Sequence, residues 1–426
     1  DGKFRCVTFS DLVGSKEGVM RQAYVTLEKR GDKLIYDLTG TSPENYSSYH
    51  AHVQAVVGHL ANYIYSYVFY DLPISSATFA PIEFKIPKGT LFNPDYKAAT
   101  SNSVMICAGI MSASANTFAK MMFCTQDWQR VVASSPNAGN AMVISGISQW
   151  GLPFADMIAY SLNTEGQGGR PWQKGMNAFG FPWCPFGRAP NVELMENEFP
   201  LLVLLSQHWT DSCGHGKMRG GVGTAQIWVA HQAPQVYFMS IADNSKVQTP
   251  QPLFGGYAPC TVPGISIRKA NIVEKLKKGA PLDLDVNKIL QEKTIDGEWE
   301  IEFFARSARS YDEGDVITFG FSAGGAGYGD PLEADPESVA QDIINKVITK
   351  ETAERVYKVV FDEKNLKADL DKTAELRQKE REARLSRGKP YGEFVKEWEQ
   401  LKPPAEILHS YGSWPEAKAQ TPLIRI

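Results

Sequence analysis

The chain has 426 residues, a formal net charge of −4 at pH 7, and 43% hydrophobic against 22% charged residues. This is enough for one large domain or two to three ordinary ones, with a core that needs no disulfide or metal to fold. Charges of both signs are spread along the chain, which argues against a nucleic-acid-binding protein, and no apolar run approaches a membrane span or a signal peptide.

The chain opens at Asp1-Gly2, without Met, and residues 3–7 read as a strand already under way, so an upstream region is expected. Residues 23–28 and 34–37 alternate around Arg30-Gly31-Asp32 and predict a β-hairpin. Residues 53–70 carry apolar groups at helical spacing and predict a buried helix. Residues 81–86 read as a strand and 103–122 as a helix. From 138 to 190 the density of Gly, Pro and Trp predicts mostly loop. Residues 200–209 and 226–231 read as strands flanking a glycine-rich turn, and 299–306 and 316–321 as further strands. After Asp330 the character changes. Asp335-Pro336 predicts a helix start, Thr349 caps a second helix, and residues 370–386 form a highly charged helix that Gly388 ends. The tail from Lys389 carries Tyr391, Phe394, Trp398, Pro403, Tyr411 and Trp414, a composition that suits contact with a partner. The expected organisation is α+β: a β-rich body over 1–330 with inserted helices, a helical segment over 331–388, and an extended tail over 389–426 making a contact between subunits.

The segment richest in chemistry is 209–223, WTDSCGHGKMRGGVG. Its glycines permit positive φ and close backbone approach, and consecutive free N–H groups there would form an anion-binding nest. Asp211, His215, Lys217, Arg219, Gly220 and Gly221 are therefore the candidate substrate-binding residues. The alternative is a tight β-connection braced by an Asp211–Arg219 pair. The segment is no P-loop, since GxxxxGK[ST] is missing. A second cluster, residues 323–331 (AGGAGYGDP), meets Asp330-Pro331 before any helix starts, so close backbone packing explains it better than dinucleotide binding. His50, His52 and His59 lack a neighbouring carboxylate, and His208 and His231 flank the glycine-rich segment. No metal-ligand set is written in the chain. Cys6, Cys107, Cys124, Cys184, Cys213 and Cys260 are scattered without CxxC spacing, as in reduced cytoplasmic proteins. Cys213 has no base beside it and reads as a small buried thiol.

Four ordered blocks resemble one family. Residues 321–361, FSAGGAGYGDPLEADPESVAQDIINKVITKETAERVYKVVF, are similar to the C-terminal signature of the hydantoinase B/oxoprolinase family. Asp37-Leu38-Thr39-Gly40-Thr41-Ser42 resembles that family's D-x-x-G-T-S, and Pro87-Lys88-Gly89-Thr90-Leu91-Phe92-Asn93-Pro94 its P-x-G-S-x-x-N-P. Glu193, Glu196 and Pro200, followed by residues 211–223, resemble its E-x-x-E…P and D-S-G-G-x-G-x-R-G-G-x-G. Cys213 replaces a family glycine, and Lys174-Gly175-Met176-Asn177 stands where many members have D-G-x-D. The family's upstream histidine and aspartate blocks are absent.

Within the family, the charged helix and the tail resemble the acetone carboxylases, in their alpha subunit. That resemblance implies ATP-dependent carboxylation of acetone with bicarbonate to acetoacetate, with carboxyphosphate and enol phosphate as activated species. It implies ATP on a hydantoinase A-like nucleotide-binding partner subunit and a small third subunit. A divalent metal, expected to be manganese, would sit in the upstream part of the alpha subunit. No cofactor is expected on this chain alone, which is then inactive by itself. Two other readings stand beside it: the hydantoinase B component of an ATP-dependent hydantoinase or 5-oxoprolinase, which opens a cyclic amide, and a scaffold segment without catalytic residues.

Overall fold

The computed structural model describes residues 1–11, 21–45, 47–126, 128–130, 141–158, 164–181, 187, 190–241, 244–302, 308–318, 321–362 and 365–401. Cys184, Pro403, Tyr411, Trp414 and the predicted strand residues 303–306 and 319–320 lie outside them.

The first layer is a sheet of β1 (Gly2–Ser10), β2 (Arg21–Arg30), β3 (Lys33–Asp37) and β4 (Ile82–Lys85), hydrogen-bonded in that order. The alternation in β2 buries Ala23, Val25 and Leu27 on one face. Gly31, at φ 57°, makes the predicted turn. β4 runs parallel to β3, which requires a crossover, and α1 (Val53–Tyr67) lies in it. α1 and α2 (Ser103–Phe123) share a core with the sheet, in which Leu60, Ile64, Ile106, Ile110 and Phe118 meet Val25, Leu27 and Tyr36. Each such side chain, fully buried, contributes about 1.5–3 kcal/mol. The buried Tyr36 hydroxyl is satisfied by Ser114 Oγ at 2.7 Å.

Two further sheets share a core. One has the order β12-β9-β5-β6, from β5 (Ala141–Ile147), β6 (Pro153–Ile158), β9 (Gln235–Ile241) and β12 (Arg309–Asp312). The other has the order β11-β10-β13-β8-β7, from β7 (Leu201–His208), β8 (Thr224–Ala230), β10 (Gly264–Arg268), β11 (Glu298–Glu302) and β13 (Val316–Ile317). The β5–β6 hairpin interrupts the stretch expected to be mostly loop over 138–190, whose other described residues are loop. Met142 and Ile144 alternate inward there, and Gly146 at φ 154° sits inside the strand. β8 is buried on both faces. Trp228 and Ala230 join the core between the sheets with Met142, Ile144 and Phe238. Ala225, Ile227 and Val229 face a second core with Ile272, Val286 and Ile289, supplied by α4 (Ile272–Lys277) and α5 (Val286–Glu292). α3 (Val192–Glu198), capped by Asn191, precedes β7.

The C-terminal helices are α6 (Pro336–Ile344), α7 (Lys350–Val356), α8 (Leu370–Arg387) and α9 (Tyr391–Gln400). Asp335, Thr349 and Asp369 cap α6, α7 and α8 through their side chains, each worth about 1 kcal/mol. α8 has no apolar stripe. Arg377 donates to the Tyr357 and Ala334 carbonyls, Arg381 to Leu332 O, and Arg384 to both oxygens of Asp330. The tail expected to be extended is helical over Tyr391–Gln400, and α9 buries no residue. The fold is α+β, as its elements predicted.

Candidate functional site

Residues 209–223 do not form a tight turn between β7 and β8. They leave the sheet and run through a layer of backbone segments, with 164–180, 251–260 and 321–330 as neighbours. The segments are bonded laterally: Gly214 N to Gly325 O at 2.8 Å, Gly325 N to Gly221 O at 2.9 Å, Gly221 N to Gln167 O at 2.8 Å, and Gly175 N to Arg219 O at 2.8 Å. The backbones lie so close that side chains are excluded. A Cβ on Gly220 would sit 1.9 Å from Gly325 O, and one on Gly221 would sit 1.8 Å from Met176 O. Glycine is therefore required at both positions for space, not for positive φ.

This arrangement redistributes the six candidate residues. The expected anion nest is corrected by the hydrogen bonds. Gly220 N donates to Gly214 O, Gly221 N to Gln167 O, Val222 N to Asn177 Oδ1, and Gly223 N to Ser212 Oγ, so these donors are occupied within the protein. Arg219 is buried and donates through Nε and Nη2 to the two oxygens of Asp342, at 3.0 and 2.9 Å. Its Nη1 donates to Gly220 O at 2.8 Å and Asn177 Oδ1 at 3.2 Å. Burial works against the charge, but the hydrogen bonds to Asp342 outweigh it and hold the Arg219 proton above its usual value. Lys174 Nζ reaches the same carboxylate at 2.6 Å, and burial lowers its pKa. Arg219 is thus braced by Asp342, on α6, rather than by Asp211. Lys217 points outward, half exposed, with Glu333 Oε2 3.5 Å away.

Asp211, at φ 64°, accepts from the Thr349 backbone N–H at 3.0 Å and from Thr349 Oγ1 at 2.7 Å, which ties the segment to the start of α7. His215 Nδ1 lies 3.1 Å from the hydroxyl of buried Tyr357, with the rings edge to face. Asp211 and His215 both line an open cleft of ≈ 720 Å³ between α5 and α7, whose wall also includes Lys288, Lys346, Thr352 and Arg355. Burial lowers the His215 pKa to about 4, so the imidazole is neutral at pH 7. The remaining sequence candidates are dispersed. His50 Nε2 accepts from Asn45 N, His59 Nδ1 lies 2.8 Å from Ala55 O, and His231 pairs with Glu313. Cys213 is buried with its thiol pushed up to about 12 by desolvation, which leaves it inert. Among the described residues no group of three or more His, Cys, Asp or Glu is placed to hold a metal ion.

Sequence reasoning missed Asp342, Asn177, Thr352, Arg355 and Tyr357. Only the Lys174–Asn177 stretch carried a signal, as a departure from the expected motif. The others lie on elements distant in sequence that nothing local connects to residues 211–219.

The sequence pattern of hydantoinase B/oxoprolinase matches residues 3–331. The acetophenone carboxylase delta subunit of Aromatoleum aromaticum (strain DSM 19018 / LMG 30748 / EbN1) is 59% identical over 426 residues, 100% of this chain and 62% of that protein. The acetone carboxylase alpha subunit of Xanthobacter autotrophicus (strain ATCC BAA-1158 / Py2) is 25% identical over 369 residues, 84% of this chain and 47% of that protein. A nucleotide-free acetone carboxylase structure superposes with a TM-score of 0.85 at 23% identity, covering 93% of this chain and 54% of that one. The chain thus spans less than two thirds of the length of each of these relatives.

Proposed function

Because the chain belongs to the hydantoinase B/oxoprolinase family, we propose that it forms part of the large subunit of an ATP-dependent ketone carboxylase. The observation that carries this reading is the 59% identity to an acetophenone carboxylase subunit along all 426 residues, which includes the C-terminal helices beyond the family pattern. The 25% identity to an acetone carboxylase subunit supports the same reaction class but a different ketone. An aryl methyl ketone is accordingly the proposed substrate, in place of the acetone expected from sequence. The product is the corresponding β-keto acid, formed from bicarbonate.

In this reading the chain works within a heteromeric complex in the cytoplasm. ATP sits on a hydantoinase A-like partner subunit, a small third subunit is present, and the divalent metal is held by residues upstream of this segment. The contribution of this chain is positional. A layer of tightly packed backbone resists deformation, because its segments are bonded on more than one side and leave no room for rearrangement. The Arg219–Asp342–Lys174 group fixes that layer to α6, and Asp211 fixes it to α7.

The test is co-expression of the full-length subunit with its candidate partners, followed by assay of ATP-dependent fixation of labelled bicarbonate. Faster fixation with acetophenone than with acetone is expected. ATP-dependent opening of hydantoin or 5-oxoproline with no bicarbonate fixation would replace this reading with the cyclic-amide one.

A further inference from the structure

We propose that the cleft between α5 and α7 is an oxyanion-binding site, taking the carboxylate or phosphoryl group of a small ligand. The inference stands on the cleft itself and does not require the ketone-carboxylase reading. It rests on an accounting of donors and acceptors around one cavity.

The acceptors at the cleft are partly spent. Both oxygens of Asp211 receive hydrogen bonds from Thr349, and Asp285 caps α5 by accepting from Lys288 N at 3.0 Å. Glu351 remains on the exposed rim. The donors are not spent to the same degree. Lys288 is paired with Asp283, and Lys350 lies 3.6 Å from Glu354. Lys346 and Arg355, which also line the cleft, make no ion pair among the described residues. Thr352 lines the wall between them, with its backbone N–H committed to Thr349 Oγ1.

His215 adds a neutral donor. The Tyr357 hydroxyl is buried and interacts with the Gly216 backbone N–H, while desolvation keeps its own proton on. An oxygen that accepts from Gly216 directs its hydrogen to His215 Nδ1, 3.1 Å away. The imidazole proton is then carried by Nε2, the ring nitrogen that Tyr357 does not engage. A neutral N–H, a guanidinium and an ammonium around one cavity match an oxyanion, which accepts all three. Arg355 offers the forked geometry suited to two oxygens of one carboxylate or phosphoryl group.

The experiment titrates the full-length protein with inorganic phosphate and, separately, with acetate. Heat of binding and the carbon resonances of labelled histidine are followed in each titration. Saturable binding of at least one anion is expected, with the His215 signal moving in step with occupancy. That signal is identified by its loss in His215→Gln. Phosphate alone assigns the site to a phosphoryl group, and acetate alone to a carboxylate. Arg355→Gln should weaken binding by about tenfold or more, the loss of one charge-assisted interaction. Arg355 is exposed, so this variant is expected to fold, and Lys217→Ala, away from the cleft, should bind as the wild type does. No saturable binding of either anion overturns the proposal. So does binding that leaves the His215 signal unmoved and is unchanged in Arg355→Gln.

Discussion

The buried charges around Asp342 allow a prediction in which the ranking of variants matters more than any single value. Asp342 is shared: Arg219 grips both of its oxygens, and Lys174 reaches one of them. Replacing Arg219 by Met removes a buried cation and leaves Asp342 with Lys174 as counter-charge. The cost is the orphaned Gly220 carbonyl plus part of the ion pair, about 2–3 kcal/mol, since the Asn177 amide oxygen keeps the Val222 N–H. Replacing Asp342 by Leu strands the Arg219 guanidinium in the interior and leaves Lys174 with only the Ser338 carbonyl, at about 3–5 kcal/mol. Asp342→Leu should therefore be the more damaging by about 1–2 kcal/mol, although each change removes one charge. Lys174→Met should cost least, about 1 kcal/mol, because its side chain stays 25% exposed. Urea denaturation followed by tryptophan fluorescence measures all three. In the assembled complex, turnover per folded molecule should be unchanged in Arg219→Lys, and stability should fall. Arg219→Met as costly as Asp342→Leu would refute the shared-carboxylate argument. Lost turnover with an unmoved denaturation midpoint would show that Arg219 meets substrate instead.

Other expectations are simpler to state. Gly220→Ala and Gly221→Ala should each cost more than about 4 kcal/mol or abolish folding, since the new methyl meets backbone at 1.9 and 1.8 Å; soluble yield and denaturation midpoint report this. Gly31→Ala, with open space around it and only its φ of 57° against it, should cost about 1 kcal/mol. Lys217→Ala removes one exposed pair and should shift stability by less than about 1 kcal/mol, with turnover intact. Folding lowers the His215 pKa from 6.5 to about 4, so the unfolded chain takes up a proton first as pH falls. The stability this confers is complete above about pH 6.5 and lost towards pH 4, amounting to about 3 kcal/mol. His215→Gln should flatten that part of the stability–pH curve relative to the wild type. Truncation after Gly388 should leave the midpoint nearly unchanged, since α9 buries nothing, and should weaken assembly on size exclusion.

Much of the local structure was legible in the residues themselves. The alternation of β2 and β3, the Gly31 turn, the apolar spacing of α1 and α2 and the caps Asp335 and Thr349 are local signals, each acting within a few residues of where it is written. The β5–β6 hairpin was hidden because Gly, Pro and Trp around it mask a short alternation whose register is set by β9. The glycines of 214–223 announced an unusual backbone, but sequence offers two reasons for glycine, conformational freedom and lack of volume. Only the neighbouring segments at 167, 176 and 325 decide that volume is the reason. Arg219 shows the same limit. A cation beside Asp211 in the chain suggested a local pair, yet the carboxylate it meets is Asp342, 123 residues away. The glycine-rich segment was thus written in the sequence as something special. Its division into a buried brace at Arg219 and a cleft wall at Asp211 and His215 was decided by α6 and α7, because hydrogen-bond partners and cavity walls are set by elements that meet only in the folded chain.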